Sequence, residues 1–153
     1  MPKRSAGILL YRRTAGRLEV LLVHPGGPFW RNRDEGAWTI PKGEYGDDED
    51  PLDAARREFE EELGSEPQGT AVPLRPIRQK GGKEVSAWAM EGDLDAAAIR
   101  SNEFDLEWPP KSGRMQRFPE VDRAEWFDVE TARSRINPAQ VALIDELVAL
   151  KGP

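Results

Sequence analysis

Three glutamates, Glu58, Glu61 and Glu62, fall at i, i+3 and i+4 within a stretch of helical periodicity, so their carboxylates share one face. That face borders an apolar stripe of Leu52, Ala55, Phe59 and Leu63. The acids therefore lie at the edge of a core, where a cation can be held with partial exclusion of water. They also crowd the C-terminal end of the helix, where the macrodipole is negative and each acid costs roughly 0.3–1 kcal/mol. A bound divalent cation removes that conflict. A solvated acidic face is the alternative for such a trio taken alone. The chain has no cysteine and a single histidine, His24, which argues against thiolate and His-rich zinc sites. A metal held here is a hard one with oxygen ligands, Mg2+ or Mn2+.

The segment around the trio, Gly43 to Ser65, reads G-E-Y-G-D-D-E-D-P-L-D-A-A-R-R-E-F-E-E-E-L-G-S. It resembles the box of the Nudix hydrolase family, G-x5-E-x7-R-E-U-x-E-E-x-G-U, where U is bulky and apolar. Gly43, Glu49, Arg57, Glu58, Glu61, Glu62 and Gly64 fill all seven fixed positions, and Phe59 fills the first U. Ser65 at the last U departs from the pattern; it bears on packing after the helix and touches no carboxylate. The resemblance implies an α/β fold, a Nudix-type α/β/α sandwich with a mixed β-sheet between helices, in a single domain over residues 1–153. It implies Glu58, Glu61 and Glu62 as metal ligands, helped by the carbonyl of Gly43. Arg57 would orient the glutamates through a salt bridge, with Glu49 in support. The family often adds a carboxylate from outside the box, a short way before a strand tryptophan. Glu120 stands six residues before Trp126 and is expected as a further ligand or general base, ahead of Glu125 and Glu103.

The activity implied is metal-dependent hydrolysis of a phosphoanhydride bond in a nucleoside diphosphate linked to another group, with dinucleoside polyphosphates or (d)NTPs as first candidates. The chemistry is intelligible from the residues. A pyrophosphate repels an attacking water, and divalent ions neutralise its oxygens and acidify the water; no nucleophilic Ser or Cys triad is apparent to do this otherwise. A Nudix-fold module that binds or senses a nucleotide without cleaving it is the alternative, and the intact glutamate set argues against it.

The segment P-G-G-P-F-W-R-N-R-D-E-G-A-W supplies candidate substrate contacts. Phe29 and Trp30 can stack on a base, and Arg31 and Arg33 can face phosphate. Lys42 is better placed, next to Gly43. Lys80 and Lys83 in K-G-G-K form either a basic lip or the charged flanks of a tight turn. His24 ends an apolar strand and reads as structural. Phe104 and Trp108, in a stretch that could serve as a lid or a homodimer contact, are expected to pack against something.

These residues need elements to hold them. A length of 153 suits one core, and 38% hydrophobic with 33% charged residues implies a solvated surface. The balance of 22 basic against 28 acidic residues, net −6, disfavours long nucleic acid but not a small polyanion bound at a local cationic site. No apolar run approaches the ~18–20 residues of a membrane span. The N-terminus reads as a strand and not as a signal peptide, so a cytoplasmic location is expected. Strands are predicted at 6–11 and 20–23, joined as a hairpin by T-A-G-R. A short strand is predicted at 38–40, with others at 75–79 and 84–90 around K-G-G-K, and at 115–118 and 124–127. Asp50-Pro51 opens the acidic helix and Gly64 closes it. Residues 91–114 read as an irregular loop with a helical turn near 95–99. A last helix starts at Pro138 with Val141, Ile144, Leu147 and Val148 on one face.

Overall fold

The structure, a computed structural model, describes residues 3–152; positions 1, 2 and 153 of the expected domain lie outside the described residues. A mixed sheet forms the centre. Its strands are β1 (Arg4–Thr14), β2 (Arg17–Pro25), β3 (Lys42–Glu44), β4 (Val72–Pro73), β5 (Ile77–Arg78), β6 (Glu84–Glu91) and β9 (Val121–Asp128). The path β4-β6-β1-β2-β9 crosses the sheet, with β3 paired to β1 and β5 to β6. β1 and β6 run parallel, and the other pairings of this sheet are antiparallel. Helix α1 (Pro51–Leu63) covers one face; α2 (Val129–Arg135) and α3 (Val141–Lys151) cover the other. This is the expected α/β/α sandwich.

Residues 6–11 of β1 are apolar without interruption because both faces of the strand are covered there. Ala6, Ile8 and Leu10 pack with Ala54, Ala55, Phe59 and Leu63 of α1. Leu9 and Tyr11 pack with Ala132, Leu143, Ile144 and Leu147 of α2 and α3. β1 and β2 pair only near their shared hairpin, from Tyr11↔Val20 to Thr14↔Arg17. Beyond it they part, and the segment 38–44 is inlaid between them. Thr39 bridges Val23, the Ile8 N–H donates to the Pro41 carbonyl (3.1 Å), and Lys42–Glu44 pairs with Ser5–Gly7. Gly7 permits this: a Cβ there would fall on the Pro41 carbonyl.

Several boundaries differ from the expectation. The strand predicted at 38–40 makes only isolated bridges, Val23↔Thr39 and Trp38↔Ile136, and the regular pairing begins at Lys42. β1 continues through Arg12 and Arg13, whose guanidinium groups are held at the hairpin end, Arg12 by Glu19 and Asp93 and Arg13 by the Gly16 and Gly152 carbonyls. The stretch 91–114 holds a 3-10 turn (Ala96–Ala98) and also β7 (Glu103–Glu107), paired antiparallel with β8 (Met115–Pro119) in a separate two-stranded sheet. Helix α2 was not foreseen. It is seven residues long and starts where the Asp128 carboxylate accepts from the Thr131 N–H (2.8 Å). Pro138–Gln140 is a 3-10 turn leading into α3, whose buried face includes Leu143 besides Ile144 and Leu147.

Candidate active site

Helix α1 carries the acids because its two ends are fixed. Asp50 caps the start, accepting from the N–H groups of Leu52 (3.1 Å) and Asp53 (3.2 Å), with Pro51 in the first turn. Gly64 ends it in a left-handed conformation (φ 82°), and its N–H donates to the Glu60 carbonyl (2.7 Å). No basic residue occupies the last turn, so no cation there offsets Glu61 and Glu62 against the helix dipole.

Arg57 gathers three carboxylates. Its guanidinium donates to both oxygens of Glu49 (2.8 and 2.9 Å), to Glu58 Oε1 (3.0 Å) and to Glu61 (3.2 Å). The fork geometry suits a bidentate pair. The pairing holds the Glu49 carboxyl below the usual carboxylate range and raises the Arg57 guanidinium further above its own. Glu58 moves the other way: burial, then the charge of Glu61, raises its carboxyl despite Arg57.

Glu62 is the most constrained of the set. It is only 6% exposed, and the single hydrogen bond to its carboxylate among the described residues comes from the Lys42 N–H (3.1 Å). Burial first, then Glu58 and Glu120, pushes its carboxyl well above the usual range. Lys42 is half-buried and its ammonium forms no ion pair among the described residues. Burial and neighbouring Lys83 lower its affinity for a proton, against the pull of Glu62. Glu120 sits beside the trio, its carboxyl raised by burial and then by Glu61. Gly43 makes room: a Cβ there would fall on the Glu58 carboxylate, so only glycine lets this acid approach β3.

The structure thus brings Glu49, Arg57, Glu58, Glu61, Glu62, Gly43, Lys42 and Glu120 together. Among the described residues no three acids already converge on one point as a metal cage; Glu58 and Glu61 lean on Arg57. The residues nevertheless fit a divalent cation. Glu62 is a buried carboxylate with one donor among the described residues, Gly43 lets the Glu58 carboxylate come against β3, and the donor set is all oxygen.

Phe29, Trp30, Arg31 and Arg33 lie on the loop after β2, and none of them pairs with the helix acids. Phe29 is 60% and Trp30 37% exposed. The Arg33 guanidinium lies over the Trp30 ring at 5.6 Å, and Arg31 forms no ion pair among the described residues. Lys83 reaches Glu44 (3.1 Å) near Lys42, whereas Lys80 stays exposed at its turn. Glu125 is placed by the pleat of β9, opposite Leu22, on the α2–α3 side of the sheet and away from α1. His24 is fully buried, its ring nitrogens bonded to Asp122 (2.8 Å) and the Arg33 carbonyl (2.6 Å).

The sequence reading missed the contribution of Asn102. Its backbone N–H donates to the Glu61 carbonyl (2.8 Å), and its carbonyl accepts from the Glu120 N–H (2.8 Å). It thereby fixes Glu120 against the end of α1. The alternation Glu103-Phe104-Asp105-Leu106-Glu107, a period-2 pattern that marks the strand it leads into, was the signal available.

This fold and this acidic helix are those of the NUDIX domain, and the chain belongs to that family: the family profile matches residues 1–147. An RNA pyrophosphohydrolase from Bartonella henselae is 26% identical over 153 aligned positions, covering 86% of this chain and 79% of that protein. An octanoyltransferase from Myxococcus xanthus is 31% identical over 137, covering 88% of this chain but 33% of that protein. The chain therefore spans about a third of the length of this relative. Among solved structures, the Caenorhabditis elegans Ap4A hydrolase in a binary complex superposes with a TM-score of 0.69 at 22% identity, covering 95% of this chain and 96% of that one. No helix among the described residues is long and apolar enough to cross a membrane.

Proposed function

We propose that this chain acts as one domain and is a Mg2+- or Mn2+-dependent pyrophosphohydrolase, cleaving a phosphoanhydride bond in a nucleoside diphosphate linked to another group. Dinucleoside polyphosphates and nucleoside triphosphates are the first substrates to test. The observation that carries this reading is Glu62, a buried carboxylate short of partners, beside Glu58, Glu61 and Glu120 and next to Lys42, whose ammonium has no ion pair among the described residues. The likeness to a pyrophosphohydrolase supports it. So does a likeness to the asymmetrical bis(5'-nucleosyl)-tetraphosphatase of C. elegans, 39% identical over 62 residues, which are 40% of this chain and 41% of that protein.

Glu58, Glu61 and Glu62, with the Gly43 carbonyl, would hold a divalent ion, with Glu120 as a further ligand or as the base, and the ion would supply charge to the phosphate oxygens and acidify the attacking water. The protein's own groups do the rest. Arg57 keeps Glu58 and Glu61 in register. Lys42 offers a positive charge to a phosphate arriving at β3. Glu120 is a carboxylate with raised proton affinity, suited to accept the proton of water as its oxygen joins phosphorus and the anhydride oxygen leaves.

The test is product analysis with a dinucleoside tetraphosphate, a nucleoside triphosphate and a nucleoside diphosphate sugar, each with Mg2+ and with chelator. Cleavage that requires Mg2+ and is lost in Glu61→Gln is the expected result. Tight binding of one of these with no turnover in any of them would replace the hydrolase with a sensing module.

A further inference from the structure

Glu120 is an exposed residue at the bend between β8 and β9, and among the described residues no hydrogen bond or ion pair holds its carboxylate. Its place beside the helix acids therefore depends on its backbone. Both backbone groups are used: the N–H donates to the Asn102 carbonyl (2.8 Å), and the carbonyl accepts from the Gly26 N–H (2.9 Å). The next N–H, of Val121, donates to Ser101 Oγ (3.0 Å). Gly26 comes this close only without a side chain, because a Cβ there would fall on the Pro119 carbonyl.

The ladder between β2 and β9 changes register at this point. His24 is opposite Arg123 and Pro25 opposite Val121, so Asp122 is an extra residue in β9, a bulge. Ala124 and Trp126 pack on the α1 side of the sheet, and strict alternation would send Asp122 there too. Val121 takes that place instead. Asp122 turns to the other side, where its carboxylate lies 2.8 Å from Nδ1 of the buried His24. The His24 ring is also held without Asp122, by the Arg33 carbonyl at Nε2 (2.6 Å) and by Trp38, which it meets edge to face with centroids 5.2 Å apart. Arg123, the other ion-pair partner of Asp122 among the described residues, is 3.8 Å away, its guanidinium over the Trp38 ring. Pro25 has no N–H to give to the ladder, so the side-chain pair supplies a cross-strand bond where the backbone lacks one. Residues 24–26 and 120–122 thus form a short ring, closed at one end by His24 and Asp122 and at the other by Gly26 and Glu120.

We propose that His24 and Asp122 are positioning residues for Glu120: their pair locks the bulge in β9 and so holds the bend at which the Glu120 carboxylate comes beside the acids of α1. This deepens the hydrolase reading and rests on it for what Glu120 does in the reaction. The pair acts through the backbone of Glu120 and not on the reacting atoms. The bulge has a second effect of the same sign: it keeps the Asp122 charge off the α1 face, which already carries Glu58, Glu61 and Glu62.

The test uses Asp122→Ala, at an exposed position, and Asp122→Asn, which keeps an oxygen for the His24 ring. The first readout needs neither metal nor substrate: amide hydrogen exchange in chelator. In Asp122→Ala the Gly26 and Glu120 amides are expected to exchange about tenfold faster, with those of β1 and β6 unchanged, and Asp122→Asn is expected to keep most of the protection. The second readout is steady-state kinetics in Mg2+. Asp122→Ala is expected to lower kcat about tenfold with KM within about twofold, and to have no further effect in a Glu120→Gln background, because the pair acts through that carboxylate. His24→Gln repeats both measurements should Asp122→Ala not fold. Unmoved exchange at Gly26 and Glu120 overturns the proposal. So does faster exchange with kcat unchanged, or a loss of kcat that persists in full in the Glu120→Gln background. Faster exchange in a chain that cleaves no nucleotide removes the hydrolase reading and leaves the lock on the bulge in place.

Discussion

The two faces of the sheet treat buried polar groups in opposite ways. On the α2–α3 face His24 and Gln140 are fully buried and paired. Gln140 accepts from the Ile40 N–H (3.0 Å) and donates to Thr39 and Gln79 (2.8 Å each); His24 has oxygen partners at both nitrogens. The lone Ser5 hydroxyl is the exception, without a partner among the described residues. On the α1 face Glu62 is buried with one donor and two acidic neighbours. A paired polar group inside a protein specifies packing, whereas a buried carboxylate short of donors costs stability. The first face is built for stability and the second gives some up.

The sharpest way to break this contrast is to neutralise the second face. Glu61→Gln or Glu62→Gln should lower turnover by orders of magnitude in steady-state kinetics. Glu62→Gln should melt no lower than wild type in chelator and lose the rise in melting temperature that Mg2+ gives wild type. Unchanged turnover in both variants at low Mg2+ would put the site elsewhere. Gly43→Ala should come next. Its methyl displaces Glu58, and overpacking of this kind costs ~1–3 kcal/mol, so a denaturant midpoint and the Mg2+ response should both fall. Lys42→Ala should lower kcat/KM more than Trp30→Ala does. The latter should act mainly through KM, because it touches binding away from the broken bond. An unmoved KM in Trp30→Ala would take that ring out of the pocket.

On the first face the same experiments should read differently. Gln140→Leu leaves the Ile40 N–H without its acceptor and should cost ~1–3 kcal/mol of stability, with Mg2+ response intact. The smallest effect is expected at Asp34. The indole N–H of Trp38 (2.7 Å) and then Arg135 hold its carboxyl below the usual range. A lowered folded value means stability that is present above about pH 4 and lost as pH falls through the folded value. Asp34→Asn should therefore flatten the acid limb of a stability–pH curve and leave the neutral region nearly flat.

The acidic face could be read in the sequence because helical spacing carries it: i, i+3 and i+4 put three acids together whatever the rest of the chain does. Asp50, Pro51 and Gly64 were legible for the same local reason. What was not legible was long-range. Nothing local says that β1 and β2 part to admit residues 38–44, since the strand at 42–44 owes its existence to β1. Helix α2, at seven residues, is too short for a clear period. The place of Glu120 beside the trio depends on Asn102, whose backbone, not its side chain, makes the link.

The inlay of residues 38–44 has a consequence for how the molecule breathes. Its amides are spent on β1, β2 and the C-terminal segment: Thr39 exchanges both backbone bonds with Val23, and Trp38 donates to the Arg135 carbonyl (3.0 Å). Those partners lie in the sheet centre and against α2. Amide hydrogens of a segment tied in this way exchange only through openings that disturb the central strands, close to the free energy of global unfolding. Hydrogen exchange should therefore find the floor under Gly43 among the slowest parts of the chain.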